Sequence, residues 1–241
     1  MRIKIVYILL AALLLVSSLS LFACNDPSNG GDSVYLFLVN KTNPVDKNYA
    51  PTGLVTVNSG YTTGGKHIEL EKKTAEAVIK MIDAMKAEGI KGVTVTSGYR
   101  TYAYQESLFN RYFAEEQEAH PTWSDAQIEA QVLSYSAAPG TSEHHTGLCL
   151  DLITTEMVGL WNWGSETPDN PYDKGFAETE AFEWLQENAH KYGFILRFPE
   201  NKTDITGYSY ESWHYRYVGV QHATKIHERG MTLEEYLGSL K

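Results

Sequence analysis

A chain of 241 residues, 43% of them hydrophobic and 21% charged, can bury one sizeable core, so one domain with an added segment is the expected organisation. The formal net charge of −10 excludes a nucleic-acid or anionic-membrane surface, because such surfaces are read by clustered lysine and arginine.

In chain order, MRIK sets two basic residues before the apolar run from Ile5 to Ala23, which is long enough to cross or nearly cross a bilayer. Residues 1–23 therefore read as an export signal. The stretch LFAC, Leu21 to Cys24, resembles a bacterial lipobox, although Phe22 is unusual at its position. A lipidated Cys24 anchoring the chain to the membrane is the preferred reading, with plain secretion and an uncleaved membrane helix as alternatives; all three put the domain outside the cytoplasm, in the bacterial cell envelope. A lipidated Cys24 leaves Cys149 without a partner, so no disulfide is expected. Residues 24–33, polar and rich in turn formers, read as a flexible tether, and residues 34–241 as the folded domain.

Within that domain, Val34 to Asn40 reads as a short strand followed by a turn-rich stretch. Ala77, Val78, Met81, Ile82 and Met85 recur at helical spacing between Thr74 and Glu88, with Gly89 as the stop. A strand over Val93 to Ser97 breaks at Gly98 and leads into a helix carrying Gln105, Leu108, Phe109 and Tyr112, which puts Arg100 at a strand-to-helix junction. Another helix, capped by Ser124, presents Ile128, Val132 and Tyr135 on one face. The loop APGTSEHHTG then feeds the strand LCLDLI, a helix spans Ala177 to Tyr192, and FILRF and YESWHYRYVGV supply two more strands. Separated helices and strands without regular βαβ alternation indicate an α+β fold.

Strand periodicity groups Leu148, Leu150 and Leu152 on one face of LCLDLI and Cys149, Asp151 and Ile153 on the other. A carboxylate buried opposite the leucine face is costly without a cation or strong hydrogen bonds. The same alternation in SWHYRYV sets His214, Arg216 and Val218 apart from Trp213, Tyr215 and Tyr217, and pairing the two strands would bring Asp151 and His214 together. Two histidines and one carboxylate with an open fourth position suit catalytic zinc. Glu211, three residues before His214, is the candidate proton acceptor. The helical zinc-protease motifs H-E-x-x-H and H-x-x-E-H are absent.

The pattern S-x-H-x-x-G-x-(A/C)-x-D, filled by Ser142, His144, Gly147, Cys149 and Asp151, together with E-x-W-H at Glu211, Trp213 and His214, resembles the D-alanyl-D-alanine carboxypeptidases of the vancomycin-resistance type. Their L,D-carboxypeptidase relatives share the fold, within the lysostaphin, D-Ala-D-Ala metallopeptidase and hedgehog superfamily. SGYRTYAYQESLF and LVNKTNPVDKNY extend the resemblance over about residues 34 to 220. It implies a hedgehog/DD-peptidase-like fold, with a small antiparallel sheet carrying a zinc site and helices packed around it. It further implies His144, Asp151 and His214 as zinc ligands, Glu211 as general base and Arg100 on the substrate, while His145 falls at a variable position. Gln105 and Ser142, which could equally be local hydrogen-bonders, become expected substrate contacts, and Trp213 joins them. The other aromatic residues near the motifs, Tyr99, Trp161, Trp163, Tyr208 and Tyr210, are expected to be packing, and His67, His120, His190, His222 and His227 to lie at the surface. Cys149 departs from the usual alanine.

The expected activity is removal of the C-terminal D-alanine from peptidoglycan stem peptides, D,D- or L,D-, by a monomer. Two rival readings remain at this level: an endopeptidase of peptidoglycan cross-links, and a non-catalytic wall-binding module that retains zinc.

Overall fold

The computed structural model describes residues 32–157 and 175–240, so residues 1–31 and the two tryptophans Trp161 and Trp163 lie outside the described residues. No helix among the described residues is long and apolar enough to cross a membrane. A small antiparallel pair of β1 (Leu54–Thr56) and β2 (Glu69–Glu71) leads into α1 (Lys72–Ala87). Next come β3 (Val93–Ser97), α2 (Tyr102–Ala119), α3 (Asp125–Tyr135) and β4 (Cys149–Thr154). After α4 (Glu180–Asn188), the chain forms β5 (Phe194–Leu196), the single turn α5 (Thr203–Thr206), β6 (His214–Tyr217), α6 (Val220–Arg229) and α7 (Leu233–Ser239). The main sheet runs β3-β4-β6-β5 with every pairing antiparallel, so β4 and β6 are its central strands. This is the α+β arrangement the sequence predicts.

The core grows from the apolar stripe of α1. Glu71 caps that helix, accepting from the backbone N–H groups of Lys73 and Thr74 at 2.8 and 3.0 Å. Val78, Met81, Ile82 and Met85 then have no solvent exposure and pack with Leu70, Val95, Leu150 and Leu152. Each such side chain contributes about 1.5–3 kcal/mol by burial, and cutting one back, Met81→Ala for example, costs about 2–5 kcal/mol. The leucine face of β4 and the Tyr215–Tyr217 face of β6 join the same core. Their opposite faces carry Cys149, Asp151, His214 and Arg216, all buried.

The expected strand over Val34 to Asn40 does not form. Asp32–Leu36 is a 3-10 turn and the following residues have no strand partner apart from a bridge between Asn40 and Asn43. The reason is a competing donor: Arg216 Nη2 takes the carbonyls of Tyr35 and Phe37 at 2.9 and 2.6 Å, so a guanidinium satisfies oxygens that a sheet would otherwise use. The helix expected over Ala177 to Tyr192 is α-helical only over Glu180–Asn188 and tightens into a 3-10 turn over Ala189–Tyr192. Gly193 ends it at φ 87°. Ser124 does cap α3, with its N–H and hydroxyl both donating to Gln127 Oε1 at 3.0 Å.

Candidate active site and metal centre

The register of β4 against β6 sets Asp151 directly across from His214 and Cys149 across from Arg216. His144 arrives from a 3-10 turn, Glu143–Thr146, that Ser142 caps and Gly147 ends at φ 68°. That glycine is required twice over. Its φ strains any other residue, and a Cβ there would sit 2.8 Å from Leu54 Cδ2 and 3.1 Å from the Glu71 nitrogen.

His144 Nε2 lies 3.3 Å from Asp151 Oδ2, and His214 Nδ1 lies 3.0 Å from Asp151 Oδ1. His144 Nδ1 donates to the Gly98 carbonyl at 2.7 Å, which leaves the Nε2 lone pair of the neutral ring toward the Asp151 carboxylate, whereas His214 Nε2 is buried without a hydrogen-bond partner, with Glu143 Oε2 3.6 Å away. The two imidazoles and the Asp151 carboxylate, each at least nine-tenths buried, thus converge on one point, a concentration of electron-pair donors that suits a cation. These residues fit a divalent metal with nitrogen and oxygen ligands.

The anionic surroundings favour the charged form of both rings. Burial opposes the imidazolium of His144, yet Cys149 and Asp151 outweigh it and hold its pKa up at about 9. His214 moves well above the ordinary histidine value in the same way. Burial disfavours the Asp151 carboxylate, but the two rings more than offset that and keep it ionised well below the usual range. Glu211 behaves oppositely. Its Oε2 lies 3.5 Å from His214 Nδ1, and burial together with the Asp151 charge pushes its pKa up to about 7. Its side chain is 21% exposed, so it borders both the ligand set and the cleft.

Arg100 reaches the same point from the β3–α2 junction. A bulge between Val95 and Ser97 shifts the pairing so that Ser97 faces Asp151. Ser97 Oγ then accepts from Arg100 Nε and Nη2 at 3.0 and 2.8 Å, and Nη2 also reaches Asp151 Oδ2 at 3.0 Å. With 22% of its side chain exposed, Arg100 is held against the site while still open to solvent.

The structure gives the remaining sequence candidates local partners. Gln105 Nε2 donates to the Ala137 carbonyl at 2.8 Å, while its Oε1 is buried without a hydrogen-bond partner. Ser142 acts as a cap, its hydroxyl accepting from the His144 N–H at 3.4 Å. Trp213 packs against the main core. His145, next to the ligand candidate, is buried but points elsewhere: Nδ1 donates to the Arg100 carbonyl at 2.8 Å and Nε2 accepts from the Gly140 N–H at 3.1 Å, pinning the loop to the β3–α2 junction that carries Arg100.

Sequence reasoning missed the support behind His214. Glu143 Oε1 accepts from Arg197 Nε at 2.8 Å and from Arg216 Nη1 at 2.7 Å, and both arginines have no solvent exposure. Burial penalises the Glu143 carboxylate, and the paired guanidinium groups overcome that to hold its pKa far below the usual value. Arg197 also makes a two-point bridge to Glu234 at 2.9 and 2.6 Å, tying the network to α7. The available signal was a single arginine inside each apolar strand segment, FILRF and HYRYV.

The model of the VanY-type D-alanyl-D-alanine carboxypeptidase family matches residues 67–220, which include every one of these candidate residues from Arg100 to His214. The chain belongs to that family. A D-alanyl-D-alanine carboxypeptidase of Enterococcus faecalis is 36% identical over 206 residues, covering 86% of this chain and 66% of its own length, so the chain spans about two thirds of that relative. Among solved structures, the LD-carboxypeptidase LdcB superposes with a TM-score of 0.68 at 36% identity, covering 86% of this chain and 87% of its own. A mutant form of the D,D-pentapeptidase VanY from a VanB-type resistance cassette, in complex with Zn(II), superposes at 0.64 with 34% identity, covering 84% and 98%. VanYB in complex with D-alanine-D-alanine superposes at 0.66 with 34% identity, covering 86% and 99%.

Proposed function

We propose that this chain is a zinc carboxypeptidase that removes the C-terminal D-alanine of peptidoglycan stem peptides. His144 Nε2, Asp151 and His214 Nδ1 would hold the zinc, which when bound supplies Lewis acidity and an acidified water. Glu211, 3.5 Å from His214 and partly exposed at the edge of the ligand set, takes a proton at its carboxylate and returns it to the leaving amine. Arg100, partly exposed and fixed by Ser97, offers its guanidinium fork to the substrate's terminal carboxylate. We infer a role in substrate contact for Gln105, Ser142 and Trp213 as well. Export through residues 1–23 and lipid attachment at Cys24, followed by the tether, would bring the domain to its substrate at the outer face of the membrane.

Glu211 carries the reading. A wall-binding module has no use for a partly exposed carboxylate held 3.5 Å from a ligand histidine at the mouth of the site. The test is to incubate the zinc-loaded protein with defined pentapeptide and tetrapeptide stems, free and C-terminally amidated, and to weigh the products. Loss of one D-alanine from the free peptides, with poor cutting of the amidated ones, is expected. Equal cutting of both would favour the endopeptidase, no cutting with zinc bound would favour the binding module, and full activity after chelation would remove the metal.

A further inference from the structure

His145 lies one residue beyond the first ligand candidate, and neither metal binding nor proton transfer gives it a task. It is 2% exposed, so both ring nitrogens need partners within the protein. Those partners fix its tautomer: Nδ1 carries the proton and donates to the Arg100 carbonyl at 2.8 Å, and Nε2 keeps its lone pair for the Gly140 N–H at 3.1 Å. The preceding residue takes the other backbone group of Arg100, whose N–H donates to the His144 carbonyl at 3.1 Å. Both main-chain polar groups of Arg100 are thus held by the two adjacent histidines. The imidazole is braced in turn. The Tyr102 ring stacks on it, with centroids 5.9 Å apart and planes 14° from parallel, and Lys47 Nζ lies 5.8 Å from the centre of the Tyr102 ring. Gly140 stands at φ 87°, its carbonyl accepts from the Val45 N–H at 2.8 Å, and a Cβ there would lie 2.9 Å from the Val45 oxygen and 3.2 Å from Tyr102 Cε2. The NPVDKNY stretch, which the hydrolytic chemistry leaves unused, therefore backs this imidazole through Gly140 and Tyr102.

We propose that His145 is a positioning residue for Arg100: by fixing the backbone there, it sets where the guanidinium meets the terminal carboxylate of the substrate, and so sets the preference for peptides with a free C-terminus. This rests on the reading of Arg100 under the proposed function. Ser97 and Asp151 hold the head of that side chain, and His145 holds its root. A planar fork that must meet two carboxylate oxygens at once is sensitive to small shifts of its backbone, and a misplacement of about 1 Å can cost about 10²-fold in rate.

The test compares the zinc-loaded full chain with His145→Phe, His145→Asn and Arg100→Ala on one stem peptide, free and C-terminally amidated. Phenylalanine keeps an aromatic ring against Tyr102 and removes both hydrogen bonds, whereas asparagine places an amide N–H near the position of Nδ1 and can keep the bond to Arg100. His145→Phe should keep its zinc and lose about 10–100-fold in kcat/KM on the free peptide, mainly through KM, with little change on the amidated one. Its free-to-amidated ratio then falls toward that of Arg100→Ala, and His145→Asn restores most of it. The double variant of His145→Phe with Arg100→Ala should be no slower than Arg100→Ala alone, because a residue that acts through the arginine has nothing left to position. An unchanged ratio in a folded, zinc-loaded His145→Phe, or an equal loss on both peptides, overturns the proposal while leaving the reading of Arg100 intact. Equal cutting of both peptides by the wild type overturns that reading and the proposal with it. Should His145→Phe fail to fold, as far-ultraviolet circular dichroism would reveal, His145→Ala removes the same two bonds without a ring to accommodate and is judged by the same ratio.

Discussion

Glu143→Ala tests whether the buried arginine network holds the ligand set. Removing this carboxylate leaves Arg197 with its two bonds to Glu234, but leaves Arg216 with only the carbonyls of Tyr35, Phe37 and Tyr217. A buried charge stripped of its counter-ion costs about 3–5 kcal/mol. In a domain of this size each kcal/mol lowers Tm by roughly 2–4 °C, so the variant should melt roughly 6–20 °C below wild type. The same change removes the acceptor 3.6 Å from His214 Nε2, and loss of such a partner weakens metal binding about 10–100-fold. Circular-dichroism melts of the metal-free proteins measure the first effect, and competition against a chromophoric chelator measures the second. Glu143→Gln, which keeps a neutral acceptor, should recover part of both. In the double variant with Arg216→Met the two penalties should be less than additive, because the orphaned charge is gone. A Tm within about 2 °C of wild type and unchanged zinc affinity would refute the reasoning.

Glu211→Ala should keep its zinc while turnover falls by roughly 10²–10⁴, as for loss of a general base, and normal turnover in a stem-peptide assay would remove that assignment. Arg100→Ala should also keep zinc and lose rate mainly on peptides with a free C-terminal carboxylate, measured as the ratio of free to amidated cleavage. Metal affinity should rise as pH climbs toward about 9, because His144, whose pKa is raised, must shed a proton before Nε2 can bind a cation; calorimetry in buffers of differing ionisation heat reads the protons released. The sign for the metal-free protein is the reverse: the stability contributed by the raised pKa is complete below the unfolded value of about 6.5 and is lost as pH rises through about 9, so its Tm should decline over that interval. Cys24→Ala should abolish incorporation of labelled fatty acid and shift the protein out of the membrane fraction, and a wild-type chain that takes up no label would end the lipoprotein proposal.

Strand periodicity made much of the site readable in advance. A period of two separates Asp151 from its leucine neighbours and His214 from its tyrosine neighbours whatever the rest of the fold does, and the antiparallel register of β4 and β6 then puts the two opposite one another. The helices followed equally local signals, the apolar stripe of α1 and the cap at Ser124. The N-terminal segment shows the opposite case. Val34 to Asn40 has the composition of a strand, but its carbonyls are claimed by Arg216, about 180 residues away, and a contact of that range leaves no periodic trace. Glu143 was hidden for the same reason. In sequence it is one acid beside a histidine pair, and only folding brings Arg197 and Arg216 to within 2.8 Å of it. The sequence by itself therefore determined which residue types face the site, because face and spacing are properties of a single strand or turn. Tertiary structure decided what each of them touches: His145 as a loop pin, Gln105 turned to Ala137, Arg100 drawn onto Asp151, and Cys149 set among the imidazoles. Those outcomes depend on distances between elements far apart in the chain, which packing fixes and local pattern does not encode.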